Sequence, residues 1–479
     1  STRMRWIGFL LLFIVIYDLP AQKVTVSREI LVRNNFNYDI LPNIGKNTIF
    51  YHDRGTEQLF EIYDKSLKFI GDAQPQFEVR NIQPVAVVAL DSTFNFYYSY
   101  RDEGMTYTRV IAFDDEINMV DSLTISGRNN KKTNTSTRYV VSGDKSKVLL
   151  FSPADKQIFL QLIDNHNLQV IYEYTLNIEA INFRTDFEKI LLNNAGEIFI
   201  ITRKNSLWSR DKNKGFNLVH FFPNHQYSVK RFSAELGEIS TIKLEYDEKN
   251  DKLALGGLIH DGNERTAMGY FGFSVSPEKV PLDAEIIVNK FSREFIIEAS
   301  GNINKKAKEL EDFQIRDMFL RNDGGVILIA EQIREFVRRS PMSNPAQFHN
   351  GVPMSGYVDY YNENLIVLAN YPDGNEQWKK VLYKKQFSQD DNSIYSSFFL
   401  FKTPSRLRLL YNDEIKSSNT VSEYLMDPLG NYERKSVLST EYQNLKLRFR
   451  DAIQTSSTSI IVPSERSSKI YLVKIEYDI

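Results

Sequence analysis

The run LIVLANYPDGNEQWKK at Leu365–Lys380 carries the reading of this chain. An apolar strand meets a tight turn built from Pro372, Asp373 and Gly374, and a second strand returns from it. Asp and Gly suit such a turn because they tolerate left-handed or locally hydrogen-bonded backbone. Upstream, NDGG at Asn322 opens a more uniformly apolar strand, VILIAEQ. The stretch Asn322–Gln386 therefore holds one full cycle of strand, excursion and hairpin.

The hairpin recurs. It reads LFEIYDKSLKFIGD at Leu59–Asp72, TRVIAFDDEINMVDS at Thr108–Ser122, IFLQLIDNHNLQVIYE at Ile158–Glu173 and SEYLMDPLGNYERKS at Ser422–Ser436. Looser copies are SLWSRDKNKGFNLVH at Ser206–His220 and AMGYFGFSVSPEKV at Ala267–Val280. Each hairpin is preceded by an apolar strand such as NTIFYHD, KVLLFSPAD or EIFIITRKN. A period of about 50 residues matches the one-blade repeats of β-propellers, WD40-like arrays included. Strands near a blade's centre pack on both faces, which predicts these continuous apolar runs. At the far end, KIYLVKIEYD (Lys469–Asp478) begins another hairpin and stops at its Asp. KVTVSREILV (Lys23–Val32) alternates like the strand that is missing there. One blade built from both ends would close the ring and leave no seam of unpaired edges. The expectation is an all-β fold: a single propeller of about eight four-stranded blades, with seven as the alternative count.

Composition agrees. The 479 residues are 42% apolar, 25% charged and 13% aromatic, with 32 Phe and 26 Tyr, which suits pleated, half-buried surfaces. A formal charge of −2 shows no basic excess of the kind that binds nucleic acid. Cysteine is absent, so disulfides, thiolate metal sites, thiol nucleophiles and lipid attachment at a lipobox cysteine are excluded. Arg3 and Arg5 precede an apolar run from Trp6 to Tyr17, and Leu19-Pro20-Ala21 closes the segment. This is the pattern of a secretory signal peptide over residues 1–21, too short for a comfortable membrane span. The remainder, 22–479, reads as one propeller domain with insertions near 284–312 and 333–356, soluble and extracytoplasmic. Within the first insertion, GNINKKAKELE (Gly301–Glu311) has charges at helical spacing and predicts a short helix.

No catalytic constellation stands out. The six histidines, His52, His166, His220, His225, His260 and His349, form no HExxH, and isolated surface or turn positions are expected for them. GxSxG and P-loop motifs are missing, and Gly256-Gly257 inside an apolar strand reads as a bulge or close packing. The acidic groups FDDE (Phe113–Glu116) and YDEKNDK (Tyr246–Lys252) lack the spacing of a calcium loop and read as turns. Asp53, Asp102 and Asp413 are carboxylates that blade-top loops could converge for glycoside cleavage. No cofactor, metal or catalytic residue is assigned. The candidate functional element is the loop at 333–356, with Arg334, Phe336, Arg338, Arg339, Met342, Phe348 and Met354. Long loops in compact domains often carry function, and Arg with aromatics is what protein interfaces enrich.

The runs DFQIRDMFLRNDGGVILIAEQ, LIVLANYPDGNEQWKKVLYKKQ and YSSFFLFKTPSRLRLLYND resemble uncharacterised exported β-propeller proteins of Bacteroidota. The resemblance covers the second half of the chain most strongly. It implies a periplasmic or surface propeller and brings no catalytic residues with it. Many secreted proteins of that group carry a C-terminal sorting domain, whereas this chain ends inside a blade, which favours the periplasm or the outer membrane's inner side over secretion. The expected function is a non-catalytic scaffold for a protein partner of the cell envelope, possible roles including envelope assembly or secretion. The alternative is a propeller that binds or cleaves glycans in a central top-face pocket.

Overall fold

The apolar strand that precedes each hairpin is buried almost from end to end. Lys252–His260 is covered at every residue after the first, and Ile198–Thr202 at every residue. A computed structural model describes residues 22–129, 137–204, 215–301, 308–338, 357–403, 405–415, 419–438, 442 and 444–478. Among these residues eight sheets, antiparallel but for one added parallel strand, form the blades of an eight-bladed β-propeller, and 266–267 pairs with 310–311 as a separate two-stranded ribbon. Blade 1 runs outward from the channel as Asn37–Ile44, Asn47–Asp53, Gln58–Tyr63 and Phe69–Ala73. Blades 2 to 7 follow at 83–129, 138–177, 187–234, 238–290, 313–389 and 398–436.

The core is a ring. Eight apolar clusters fill the interfaces between successive blades. Between blades 1 and 2, for example, Phe60 and Phe94 meet at 5.3 Å and Phe94 and Phe113 at 5.5 Å between ring centroids. Buried asparagines add polar ties: Asn412 of blade 7 donates to the carbonyls of Tyr395, at 2.9 Å, and Leu447, at 2.8 Å. Gly256 is a close-packing residue in an unbroken register, since a Cβ there would lie 2.6 Å from Leu328 Cδ2 of blade 6.

The repeated acidic turns are structural. Asp64, Asp114, Asp164 and Asp427 each open the last hairpin of a blade and accept backbone amides two to four residues on, at 2.8–3.0 Å. Asp247, in YDEKNDK, does the same for Lys249, at 3.0 Å, and Asn250, at 3.1 Å. These carboxylates take the place of water for turn amides that have no strand partner.

Both ends of the described chain meet in blade 8. Lys23–Val26 pairs antiparallel with 473–476 as the outermost strand, and Ile30–Leu31 pairs with 469–470. Between them Ser27 Oγ accepts the Leu472 N–H at 2.8 Å, so a side chain covers the gap in the ladder. Arg28 then reaches blade 1, where its guanidinium lies 3.2 Å from the Phe69 ring centroid and pairs with Glu61 at 3.4 Å.

Three expectations are corrected, and one falls largely outside the described residues: of the helix expected at Gly301–Glu311, 302–307 are not described. The described helix of the first insertion is Arg293–Ser300, which Gly301 caps in the left-handed conformation. Ser292 caps its N-terminus, and Phe295, Ile296 and Ala299 form its buried face. The looser repeats differ. In blade 4, residues 206–214 of the expected copy lie outside the described residues, and the strand Gly215–Phe221 pairs onward with Tyr227–Ala234. In blade 5, Asp283–Ile286 crosses to pair in parallel with blade 4 before Asn289–Lys290 returns. Secondly, His52, His220 and His260 are buried, at 0%, 2% and 2% exposure, while His225 is a turn residue with φ 69°. Lastly, the insertion near 333–356 is strand in its described part, as set out below.

Candidate interaction face

In every blade the second-to-third turn and the link to the next blade fall on one face, here the upper face, because the strands alternate in direction. Blade 6 extends beyond the others there. Its first strand, Phe313–Leu320, pairs with Val326–Arg338 only as far as Gln332. Residues 333–338 continue as strand against 357–362, and Gln386–Gln389 adds a third strand along 359–362. The stretch read as a loop is therefore strand up to Arg338 and again from Tyr357. The alternation Ile333 to Arg338 is a strand pattern that the prolines and charges beyond it obscured.

A buried polar knot roots this extension. Glu331 and Lys384 have fully covered side chains. The Lys384 ammonium donates to Glu331 Oε1 at 2.5 Å, Gln386 Oε1 at 2.7 Å and the Asn362 carbonyl at 3.1 Å. The other Glu331 oxygen accepts from Ser397 Oγ at 3.1 Å and faces Arg316 at 3.4 Å. Burial pulls the Lys384 pKa below that of an ordinary lysine, and Glu331 works against the shift.

Above the knot, one face of the extension carries an aromatic row. Phe336 meets Tyr361 edge-on at 5.7 Å, and Tyr361 meets Phe387 at 5.0 Å. Phe336 is 50% exposed and Phe387 40%. Arg334 lies over Tyr361 at 5.9 Å and bonds Glu363, which neutralises it. Of the candidate interface residues, Arg334 and Phe336 thus come together. Arg338 stands opposite Tyr357 in the register, and Arg339, Met342, Phe348 and Met354 lie outside the described residues. Tyr361 and Phe387 were not among the candidates. Pairing Arg334 with Tyr361 would have shown one of them, but Phe387 joins only through a third strand that sequence does not announce.

A second feature opens on the same face: a cleft of about 600 Å³ between blades 4, 5 and 6. The first strand of blade 5 is interrupted after Ile239 and resumes at Lys243. Arg203 fills the gap, bonding the carbonyls of Ile239 and Ser240, the latter at 2.9 Å. Its fork is held by Glu188 at 2.5–2.9 Å, and Glu188 also accepts the Ile242 N–H at 3.4 Å. Backbone groups freed by the break are therefore satisfied by one half-buried ion pair. Lys243 lines the cleft, its ammonium 3.3 Å from the Arg316 carbonyl. Burial, then the neighbouring Lys189, lowers its pKa, with Asp317 and Glu245 opposing. At Glu245, two residues on, enclosing protein raises the carboxyl and Lys402 opposes that.

The three carboxylates considered for glycoside cleavage do not form a set. Asp53 accepts the Gly55 N–H at 2.9 Å within its own turn, Asp413 pairs with Arg434 at 2.6 Å, and Asp102 is exposed at the tip of blade 2. His220 and His225 pack on different partners. His220 stacks on Phe199 at 4.5 Å, whereas His225 stacks on Tyr174 at 4.7 Å, next to Phe221. Among the described residues no helix is long and apolar enough to cross a membrane.

No family model matches the sequence, and no curated protein does. Among solved structures the chain is similar to the Dos1 propeller, with 7% identity and a TM-score of 0.43 over 94% of this chain and 94% of that one. It is similar to a member of the DUF4221 family from Bacteroides vulgatus, at 10% identity and TM-score 0.34 over 82% and 94%. Dihydro-heme d1 dehydrogenase NirN gives 10% identity and TM-score 0.41, over 93% of this chain and 75% of its own. At these identities and scores the likenesses carry no statement about function.

Proposed function

We propose that the protein is an extracytoplasmic scaffold that holds a protein of the cell envelope on its upper face, through the extension of blade 6. The aromatic row of Phe336, Tyr361 and Phe387 carries this reading. Large aromatics that touch one another and face solvent are the side chains that interface centres use. The sheet that presents them is anchored by the Lys384–Glu331 knot, so little ordering cost falls on the binding step. The apolar run before Tyr17 supports export.

The test is affinity capture of the tagged mature protein from its native envelope, with Phe336→Asp and Phe387→Asp variants in parallel. A stoichiometric partner retained by wild type and by an outer-blade control, Glu433→Gln, but lost by both aspartate variants supports the scaffold reading. A partner retained by the aspartate variants, which melt like wild type, would place the interface elsewhere and refute this one.

A further inference from the structure

We infer that the cleft between blades 4, 5 and 6 is a binding site for a small anionic sugar, a sugar acid or a sugar phosphate, with Lys243 as the anchor for its charge. The inference is independent of the scaffold reading, which rests on a different part of the upper face.

The size fits first. About 600 Å³ lies within the range of small-molecule sites, and a monosaccharide with its hydration would fill it. The lining carries three carboxylates, Asp186, Glu188 and Glu264, and three cations, Arg203, Lys204 and Lys243, of which Lys204 and Glu264 are exposed and solvated. Arg203 and Glu188 cancel each other in a bidentate pair. Asp186 is engaged by its own helical turn, accepting the Asn182 N–H at 3.1 Å and the Thr185 hydroxyl at 2.9 Å. Lys243 is left as the interior charge without a carboxylate in an ion pair among the described residues. Its hydrogen bond among the described residues is a long one to a carbonyl, and its charged neighbours are mixed, Lys189 and Arg316 against Asp317 and Glu245, none of the carboxylates close enough for an ion pair. A half-buried ammonium in that position gains from an incoming anion more than a solvated surface lysine would.

The remaining lining suits a hydroxylated body. Ser240, Thr241 and Gln314 supply hydroxyl and amide groups, and Ile315, with Leu258 and Phe313 behind it, supplies an apolar wall for a ring face. His260 also stands in the wall; among the described residues neither ring nitrogen has a hydrogen-bond partner, and Glu238 lies 4.0 Å from Nδ1. The Arg203–Glu188 pair fixes the backbone from which these groups project, so the site is preformed.

The test is isothermal titration of the mature protein with glucuronate, glucose 6-phosphate, neutral glucose and inorganic phosphate at low ionic strength. Wild type is compared with Lys243→Gln and with Lys402→Gln, which removes a lysine at the opposite face. Saturable binding of either anionic sugar, weakened about tenfold or more by Lys243→Gln and unchanged by Lys402→Gln, is expected. Glucuronate against glucose 6-phosphate tells the two sources of the charge apart. Equal binding of neutral glucose, equal binding of inorganic phosphate alone, or an unchanged affinity in Lys243→Gln would each overturn the inference. So would the absence of saturable binding. Thermal melting of Lys243→Gln within about 2 °C of wild type keeps a folding defect from imitating lost binding.

Discussion

Replacing Lys384 by Met is the sharpest probe of how this propeller is held together. Both members of the Lys384–Glu331 pair are fully covered, so the lost ammonium cannot be replaced by bulk water. Met fills the stem's volume and removes three donations, to Glu331, Gln386 and the Asn362 carbonyl. Glu331 would then keep Ser397 and Arg316, at 3.1 and 3.4 Å, as partners for a charge in a low-dielectric interior. Removing one partner of a buried pair costs about 3–5 kcal/mol. The Arg316 contact is long and its side chain 28% exposed, which places the expected loss near the middle of that range, about 4 kcal/mol. Replacing both residues, Glu331→Met with Lys384→Met, leaves no orphan charge, and Arg316 can turn to water. The double variant is therefore expected to regain most of the loss. Urea titration followed by tryptophan fluorescence measures Lys384→Met, Glu331→Met and the double variant, and the coupling follows from the double-mutant cycle. A single-variant loss below about 1 kcal/mol would refute the reasoning, as would a double variant less stable than either single one. The extension should respond as well: limited proteolysis is expected to cut it sooner in Lys384→Met.

Three further perturbations test the rest of the frame. Ile30→Ala empties a 1%-exposed position between blades 8 and 1 and should cost about 2–5 kcal/mol by thermal or urea melting, while deleting Lys23–Val32 should cost more; unchanged melting of the deletion would sink the closure. Asn165→Ala removes an acceptor of Asn95 and Tyr97, both at 2.7 Å, and a donor to the Lys145 carbonyl, with an expected loss of about 2–3 kcal/mol in the same assay. The pH dependence follows from two carboxyls. The contact with His220 holds Glu197 below the usual range against burial, and at Glu61 burial is outweighed by His52, Tyr63 and Arg28. Both folded pKa values are depressed, so the stabilisation is complete above the unfolded value of about 4.3 and fades as pH falls through the folded ones. Glu61→Gln with Glu197→Gln should flatten the acid limb of a stability–pH curve, and an unchanged limb would assign acid unfolding to other groups.

The fold was legible because its repeat has a physical cause. A central strand packed on both faces must be apolar throughout, and a hairpin in a twisted sheet needs Asp, Asn or Gly at its turn. Both demands recur in each blade and survive loose sequence. Closure was legible for the same reason: KVTV and KIYLVKIE alternate as partners, and Lys23–Val26 pairs with 473–476. Blade 5 was misread because it breaks the rule locally. Its hairpin is replaced by a crossing, in parallel, to blade 4, and nothing in SVSPEKVPLDAEI signals that partner. The helix Arg293–Ser300 was missed, although REFIIEAS carries its signal in the stripe Phe295, Ile296 and Ala299 that becomes the buried face.

The site was legible in part, and the limit is instructive. Arg334 and Phe336 were visible as an unusual pairing of charge and aromatic, yet their context as a loop was wrong. Loop and strand differ here by what lies beside them, and the neighbour of 333–338 is a segment beginning about 20 residues later. The third strand, Gln386–Gln389, is further still, and it brings the Phe387 ring against Tyr361. The cleft was harder. Its lining comes from three blades, and the residue that builds it, Arg203, lies in a run that reads as an ordinary strand end. Arg203 matters because the first strand of blade 5 stops and restarts in front of it, exposing carbonyls that a guanidinium can take. Sequence periodicity reports what every blade shares. Function on a propeller sits where one blade departs from its neighbours, so the same regularity that discloses the fold conceals the site.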